Sequence, residues 1–164
     1  MRQSDLPHRK AGYAMSDWKQ DLDAIFRAGG EMPRPSTTDL LVRRNQEAHA
    51  FIVQTVVPAF EELQEALSQY GRESLLSADH KDRGAAASIR VRNEGRDEFE
   101  YLIGVRVIPE RAFPYVELIP HHGWPRRASE GTIRDGLQDY SVTDITKEEV
   151  IRHFLSSYAA RLTP

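Results

Sequence analysis

Residues 85–108 read AAASIRVRNEGRDEFEYLIGVRVI, and apolar and polar side chains alternate on both sides of the segment Asn93–Arg96. A period of two is typical of a strand with one buried face, and a short glycine-containing segment between two such runs predicts a hairpin. The stretch therefore predicts an antiparallel β-hairpin with one buried face and one solvated face. The predicted buried face comprises Ala87, Ile89, Val91, Phe99, Tyr101, Ile103, Val105 and Val107.

Further strand signals flank this hairpin. Ser74–Asp79 before it and Phe113–Ile119 after it have strand character. Pro109 and Pro120 mark strand ends, because proline cannot donate to a sheet ladder. Residues 133–142 are compatible with a small hairpin or with coil. Together these segments predict an antiparallel meander of four to five strands.

A long helix is predicted before the sheet. From Leu41 to Tyr70, apolar side chains recur every three or four residues, which is the spacing of one helix face. Thr38 or Asp39 would cap its start. Pro58 lies in the middle of this helix, where its missing N–H and its ring predict either a kink or a restart with Pro58 in the first turn.

A second helix is predicted at the end of the chain. Thr146-Lys-Glu-Glu149 has the form of a capping box, in which the first hydroxyl and the last carboxylate each accept from the other residue's backbone N–H. Ile145 and Val150 would add the hydrophobic contact that flanks such a box. The predicted buried face of this helix comprises Val150, Ile151, Phe154, Leu155, Tyr158 and Leu162.

These elements define the predicted fold class and domain organisation. The class is α+β, an antiparallel β-meander of four to five strands with a long N-terminal helix and a C-terminal helix packed on one face. A single α+β domain is expected over residues 38–164. Residues 1–37 mix proline, glycine and scattered charge, so we expect them to form a mobile N-terminal arm.

The arm carries one short amphipathic helix between flexible flanks. Trp18, Leu22, Ile25 and Phe26 fall on one face of that helix. Two interpretations stay open, because the stripe either packs on its own domain or docks in the groove of a partner. These four residues are therefore candidate partner-binding residues.

The long helix has more apolar residues than one contact with a sheet needs. Phe51, Val53, Val57 and Phe60 widen its apolar stripe beyond one face, which predicts a second buried surface. Either the arm or another copy of the protein would cover that surface, and a two-fold homodimer would use it twice. These four side chains are also candidate partner-binding residues.

The densest group of chemistry-bearing residues is the predicted loop His121–Arg127. His122, Trp124, Arg126 and Arg127 are candidate ligand-binding residues, because guanidinium groups bind carboxylates and phosphates while an indole offers a stacking surface. The alternative is a solvated loop whose Trp124 folds back onto the domain. No metal site is expected, since adjacent histidines on an extended chain point to opposite sides.

The composition excludes several classes of protein. The 164 residues include 22 Lys and Arg, 25 Asp and Glu and no cysteine, for a net charge of −3. Residues 84–134 set eight arginines against seven carboxylates, so nucleic-acid binding is not favoured. The lack of cysteine excludes disulfides and thiol nucleophiles. No apolar run approaches the ~20 residues of a membrane span, and no membrane association is expected.

Motifs for enzyme chemistry are missing as well. The sequence contains no G-x-S-x-G elbow, no P-loop and no G-x-G-x-x-G fingerprint. No catalytic residue, cofactor or metal is therefore predicted. The sequence predicts a non-enzymatic, cytoplasmic protein-interaction domain (an adaptor, a chaperone-like protein or a regulatory subunit) that forms a homodimer. The alternative is a small anionic-ligand or nucleic-acid-binding module that uses the loop His121–Arg127.

Overall fold

The computed structural model describes residues 34–78, 83–121 and 128–163, together with Trp18, Lys19, Leu22 and Ala24. The chain divides into two compact units, Met1–Pro35 and Ser36–Pro164. The elements described below belong to the second unit. That residues 1–37 form a mobile arm stays a prediction.

The second unit has the predicted α+β fold. In chain order its elements are α1 Thr37–Phe51, a π-helical turn Ile52–Val56, α2 Val57–Ser68, β1 Glu73–Ser77, β2 Ala86–Asn93, β3 Arg96–Ile108, β4 Arg111–Pro120, β5 Ser129–Gly131, a 3-10 turn Val142–Asp144 and α3 Lys147–Leu162. The five strands form one antiparallel sheet in the order β1-β2-β3-β4-β5. Each strand therefore lies beside its neighbour in sequence, which is the predicted meander.

The central hairpin is confirmed, and one short strand beside it differs from the prediction. β2 pairs with β3, and Ile89 lies opposite Tyr101. The short β5 lies in a stretch for which no strand is predicted, and it pairs with the edge of β4 so that Glu130 lies opposite Glu117. Residues 133–142, for which the sequence allows a small hairpin or coil, contain no strand.

The core lies between the helices and one face of the sheet, with Tyr101 at its centre. The Tyr101 side chain is completely buried. Its ring makes edge contacts with Phe60 of α2 at a centroid distance of 6.0 Å and with Phe154 of α3 at 5.4 Å. Aromatic pairs of this geometry stabilise a core beyond the burial of their area. Both helical segments are therefore anchored on the central strand.

The long helix begins earlier than predicted. The Ser36 hydroxyl accepts a hydrogen bond from the Asp39 backbone N–H at 3.1 Å, and the Asp39 carboxylate accepts from the Ser36 N–H at 3.2 Å. This capping box corrects the predicted cap at Thr38 or Asp39. Those positions lack a reciprocal partner, because Leu41 and Val42 stand three residues after them.

The chain stays helical through Pro58. In the π-helical turn Ile52–Val56, the Val57 N–H donates to the Ile52 carbonyl, and Pro58 follows in the first turn of α2. A π turn absorbs one extra residue, and it lies where the proline ring would otherwise meet a carbonyl of the preceding turn. Of the two predicted outcomes, the restart at Pro58 is observed, without a gap in the helix.

The outer face of the sheet is less solvated than predicted. Ser88, Glu100 and Leu102 are each less than a tenth exposed. Gly104 of β3 lies opposite Tyr115 of β4, and the Tyr115 ring occupies the space that a Cβ at position 104 would need. Close packing across β3 and β4 therefore shields part of this face from water.

The C-terminal helix begins as predicted. The Thr146 hydroxyl accepts from the Glu149 N–H at 3.3 Å, and the Glu149 carboxylate accepts from the Thr146 N–H at 2.9 Å. The buried face is narrower than predicted, because Leu155 and Leu162 are half exposed. Leu155 follows the buried Phe154 by one residue, which turns its side chain about 100° around the helix axis.

Candidate functional site

The predicted stripe of the arm is described only in part. Trp18 and Leu22 are helical, and their side chains are 57% and 45% exposed. The Lys19 ammonium lies 5.6 Å from the centroid of the Trp18 ring. Ile25 and Phe26 lie outside the described residues. The role of this stripe in partner binding stays a prediction.

The four candidate residues of the long helix do not form one surface. Phe51 is 5% exposed and Phe60 is completely buried in the core of the second unit, whereas Val53 is 51% exposed. Val57 is partly buried against the same core. Phe51 and Phe60 are nine residues apart and would lie on opposite faces of a regular helix, about 180° apart. The π turn between them absorbs one residue, so both rings reach the core.

The exposed side of α1 carries a shallow groove that the sequence did not predict as such. This helix groove is lined by Val42, Asn45, Gln46, His49, Ala50, Val53 and Gln54 and has a volume of about 670 Å³. Val42 and Val53 are 53% and 51% exposed. Among the described residues that line it, there is no Lys, Arg, Asp or Glu, although such residues make up 29% of the chain. Val42 and Val53 are eleven residues apart, about three helical turns, and this spacing is the feature of the sequence that places both on one side of the helix.

Charged side chains near the helix groove are paired with one another. Glu47 lies 3.4 Å from Arg43 and 2.7 Å from Arg44. The Arg44 Nε also donates to the Pro109 carbonyl at 3.5 Å. These contacts pair the three charges of α1 with one another.

The predicted ligand loop lies mostly outside the described residues. His122, Trp124, Arg126 and Arg127 all fall there, so their role stays a prediction. His121 is described, and its Nε2 lies 3.0 Å from the Glu100 carboxylate. His121 also belongs to a cleft at the end of the sheet that carries the β2–β3 turn. This charged cleft is lined by Asn93, Glu94, Arg96, Asp97, Glu98, His121 and Arg161 and has a volume of about 680 Å³.

A β-bulge shapes the charged cleft. The register of β2 and β3 shifts at Arg92, which lies opposite Asp97, so Glu98 is the extra residue. A bulge re-aims side chains on its strand. The Glu98 carboxylate accepts from Arg72 Nε at 3.2 Å and from the Tyr158 hydroxyl at 2.7 Å. Neither Glu98 nor its partners can be found from local sequence patterns.

Of the carboxylates that line the charged cleft, Asp97 and Glu98 are paired with arginines, and Glu94 forms no ion pair within the described residues. Arg92 Nε lies 3.0 Å from Asp97, and the Arg90 guanidinium lies 3.1 Å from the buried Glu100. The hydrogen bond to Tyr158 and the charge of Glu98 raise the pKa of Arg72 above its ordinary value, although burial opposes the shift. Arg96 is an exposed cation that lines the same cleft, and it forms no ion pair within the described residues.

A third group of polar atoms links α3 to the centre of the sheet. The Tyr101 hydroxyl lies 2.7 Å from His153 Nδ1. Burial lowers the pKa of His153, while a backbone hydrogen bond at Thr132 and the charge of Asp135 oppose this shift. Burial also raises the pKa of Tyr101 far above its ordinary value, so the hydroxyl keeps its proton. The sequence marks His153 only as a histidine within a helix.

Two kinds of site are absent from the part of the chain that the structure describes. Within residues 34–78, 83–121 and 128–163, no group of three or more His, Asp or Glu side chains is placed to hold a metal ion. None of the helices in the described part of the chain combines the length and apolar composition that crossing a bilayer requires.

Comparisons of the chain with protein-family models, curated proteins and solved structures find no match. Functional inference therefore rests on the helix groove and the charged cleft.

Proposed function

We propose that this protein is a non-enzymatic interaction domain whose helix groove binds a second copy of the same chain. The proposal is supported by a groove on the long helix that no Lys, Arg, Asp or Glu lines among the described residues, with Val42 and Val53 each about half exposed. The domain would serve in the cytoplasm as an adaptor, a chaperone-like protein or a regulatory subunit.

The energetics of the groove favour burial against another apolar surface. Completely burying a valine side chain contributes about 1.5–3 kcal/mol relative to leaving it exposed. No lining carboxylate or ammonium among the described residues would have to lose its water shell, a loss that is costly when the charge is unpaired.

A second copy suits the groove because the surface is a helix flank that can pack on itself. Two helices pack when side-chain ridges of one enter grooves of the other. In a two-fold dimer, the Val42 end of one helix can meet the Val53 end of the other, and each contact occurs twice. One modest surface then contributes two sets of contacts.

Sedimentation velocity over a concentration series tests the proposal. We expect wild-type protein to be dimeric at about 100 µM, and Val42→Glu and Val53→Glu to weaken the dimer tenfold or more, because each buries a carboxylate. Leu155→Glu is the matched control, since Leu155 is a similarly exposed aliphatic residue of α3. It should leave the dimer intact. A monomeric wild type at every concentration would contradict the proposal.

A second candidate function is the binding of a small anion in the charged cleft. It is supported by Arg96 and by the compensation of Asp97 and Glu98 by arginines. Titration with inorganic phosphate or citrate, followed by backbone amide NMR shifts, tests it. Saturable shifts at residues 93–98 would support anion binding if they disappear in Arg96→Ala and persist in the control Arg43→Ala. Shifts that never saturate would contradict it.

A further inference from the structure

His153 links three parts of the fold through its hydrogen bonds. Tyr101 belongs to β3 and His153 to α3, and the backbone of Thr132 in the connection between β5 and α3 also bonds to the histidine. The Tyr101 side chain is completely buried. Within the described residues, His153 Nδ1 is the one hydrogen-bond partner of the Tyr101 hydroxyl.

The buried Tyr101 hydroxyl determines the protonation state and the tautomer of His153. The Tyr101 hydroxyl is protonated and must donate, so Nδ1 has to accept. The ring proton of a neutral His153 is then on Nε2, and this tautomer lets Nδ1 accept from the Tyr101 hydroxyl. The described geometry therefore selects one protonation state and one tautomer.

Protonation of His153 breaks this pattern. An imidazolium donates from both nitrogens and accepts at neither. Its Nδ1–H would point at the Tyr101 oxygen, and the Tyr101 hydroxyl proton would be left in the core without an acceptor. A buried donor that loses its acceptor is destabilising by the full cost of its desolvation.

The charges around His153 do not remove this effect. From β3 it faces the neutral Tyr101, and from the connection between β5 and α3 it faces the Thr132 backbone and Asp135. Within α3, its own carbonyl accepts from the Ser157 hydroxyl. Asp135 favours the imidazolium, but burial outweighs it and the pKa of His153 falls below 6.5.

We propose that His153 is a proton-sensitive latch, which stabilises the packing of α3 and of the connection before it on β3 when neutral and loses that contribution when protonated. A histidine can have a lower pKa in the folded state than in the unfolded state. Its contribution to stability is then fully present when the pH is above the pKa of the unfolded state. The contribution is lost as the pH falls below about 6.5 toward the folded value. The latch thus contributes at neutral pH and loses its contribution in mild acid.

The direct test is the ¹⁵N NMR spectrum of the imidazole rings of the full-length wild-type protein. At neutral pH we expect the His153 signals of the tautomer protonated on Nε2, and on titration a midpoint below about 6.5, the ordinary value for a histidine. A His153 ring protonated on Nδ1 at neutral pH, or one that titrates at or above about 6.5, would overturn the proposal.

Unfolding by urea between about pH 8 and pH 5 gives the second test. In His153→Asn the amide oxygen can accept from Tyr101 without titrating. The unfolding equilibrium constant of wild type should increase with acid about fivefold more than that of His153→Asn, the equivalent of one hydrogen bond. His8→Asn, a change in the first unit, should keep the wild-type dependence. Equal dependence in wild type and His153→Asn would refute the latch. If His153→Asn does not fold, the NMR titration decides alone.

Discussion

Arg134 holds Glu149 through two nitrogens, with Nε 2.7 Å from Oε1 and Nη2 3.2 Å from Oε2. The same Nη2 donates to the Asp144 carbonyl at 2.7 Å. Glu149 also closes the capping box with Thr146. One carboxylate therefore ties the irregular residues 132–141 to the start of α3.

Glu149→Gln tests this tie through its pH dependence. Hydrogen bonding to Arg134 lowers the pKa of Glu149 below its ordinary value. A carboxylate of this kind stabilises the fold above its unfolded pKa, and the contribution is lost as the pH falls through the folded pKa. We expect wild type to lose stability between about pH 5 and pH 3, and Glu149→Gln to lose less, as measured by urea unfolding.

The neighbouring residue supplies the control for that measurement. Glu148 is exposed in the same helical turn, so Glu148→Gln should keep the wild-type pH profile. Glutamine at position 149 still closes a capping box, which isolates the effect of charge. Identical profiles for all three proteins would show that the Arg134 pair does not stabilise the fold.

Thr146→Ala tests the helix cap itself. It removes the hydroxyl that accepts from the Glu149 N–H and should decrease the free energy of unfolding by about 1 kcal/mol. Thr143→Ala, an exposed threonine in the preceding turn, should change it little. Thermal unfolding measures both, and a Thr146→Ala protein as stable as wild type would place the functional start of the helix elsewhere.

Gly104→Ala tests the close packing of β3 against β4. The added methyl group would overlap the Tyr115 ring, and forcing an extra carbon into a packed site costs about 1–3 kcal/mol. Gly131→Ala is the control, because nothing lies within 4 Å of a Cβ at that position. Combining Gly104→Ala with Tyr115→Ala should cost less than the sum of the two single changes. Strict additivity would mean that the two residues do not interact.

Deletion of residues 1–35 tests the division of the chain into two units. Among the described residues, those of the buried core lie between Ala48 and Tyr158, so we expect the shortened chain to unfold cooperatively in a calorimeter with a melting temperature close to that of the full chain. Loss of the cooperative transition would mean that the first unit completes the core.

Features set by neighbouring residues could be predicted from the sequence. The hairpin around Asn93–Arg96 follows from a local alternation, and the box Thr146–Glu149 follows from residues three apart. Contacts between distant residues could not be predicted. His153 reaches Tyr101 across 52 positions, and no pattern along the chain pairs the two.

The candidate surfaces were only partly predictable for a similar reason. Val53 is half exposed, whereas Phe51 and Phe60 fall outside the core-facing side only on the rotation of a regular helix. The π turn Ile52–Val56 changes that rotation. Likewise, the bulge opposite Arg92 redirects Glu98, and bulges leave no reliable local signature.

The most direct test of self-association through the helix groove is a single-cysteine cross-link. The chain contains no cysteine, so His49→Cys places one thiol in the groove, and Leu155→Cys places one on the exposed side of α3. Non-reducing electrophoresis after mild oxidation should show a linked dimer that forms much faster for His49→Cys than for Leu155→Cys. Equal, slow cross-linking of the two variants would contradict dimerisation through this groove.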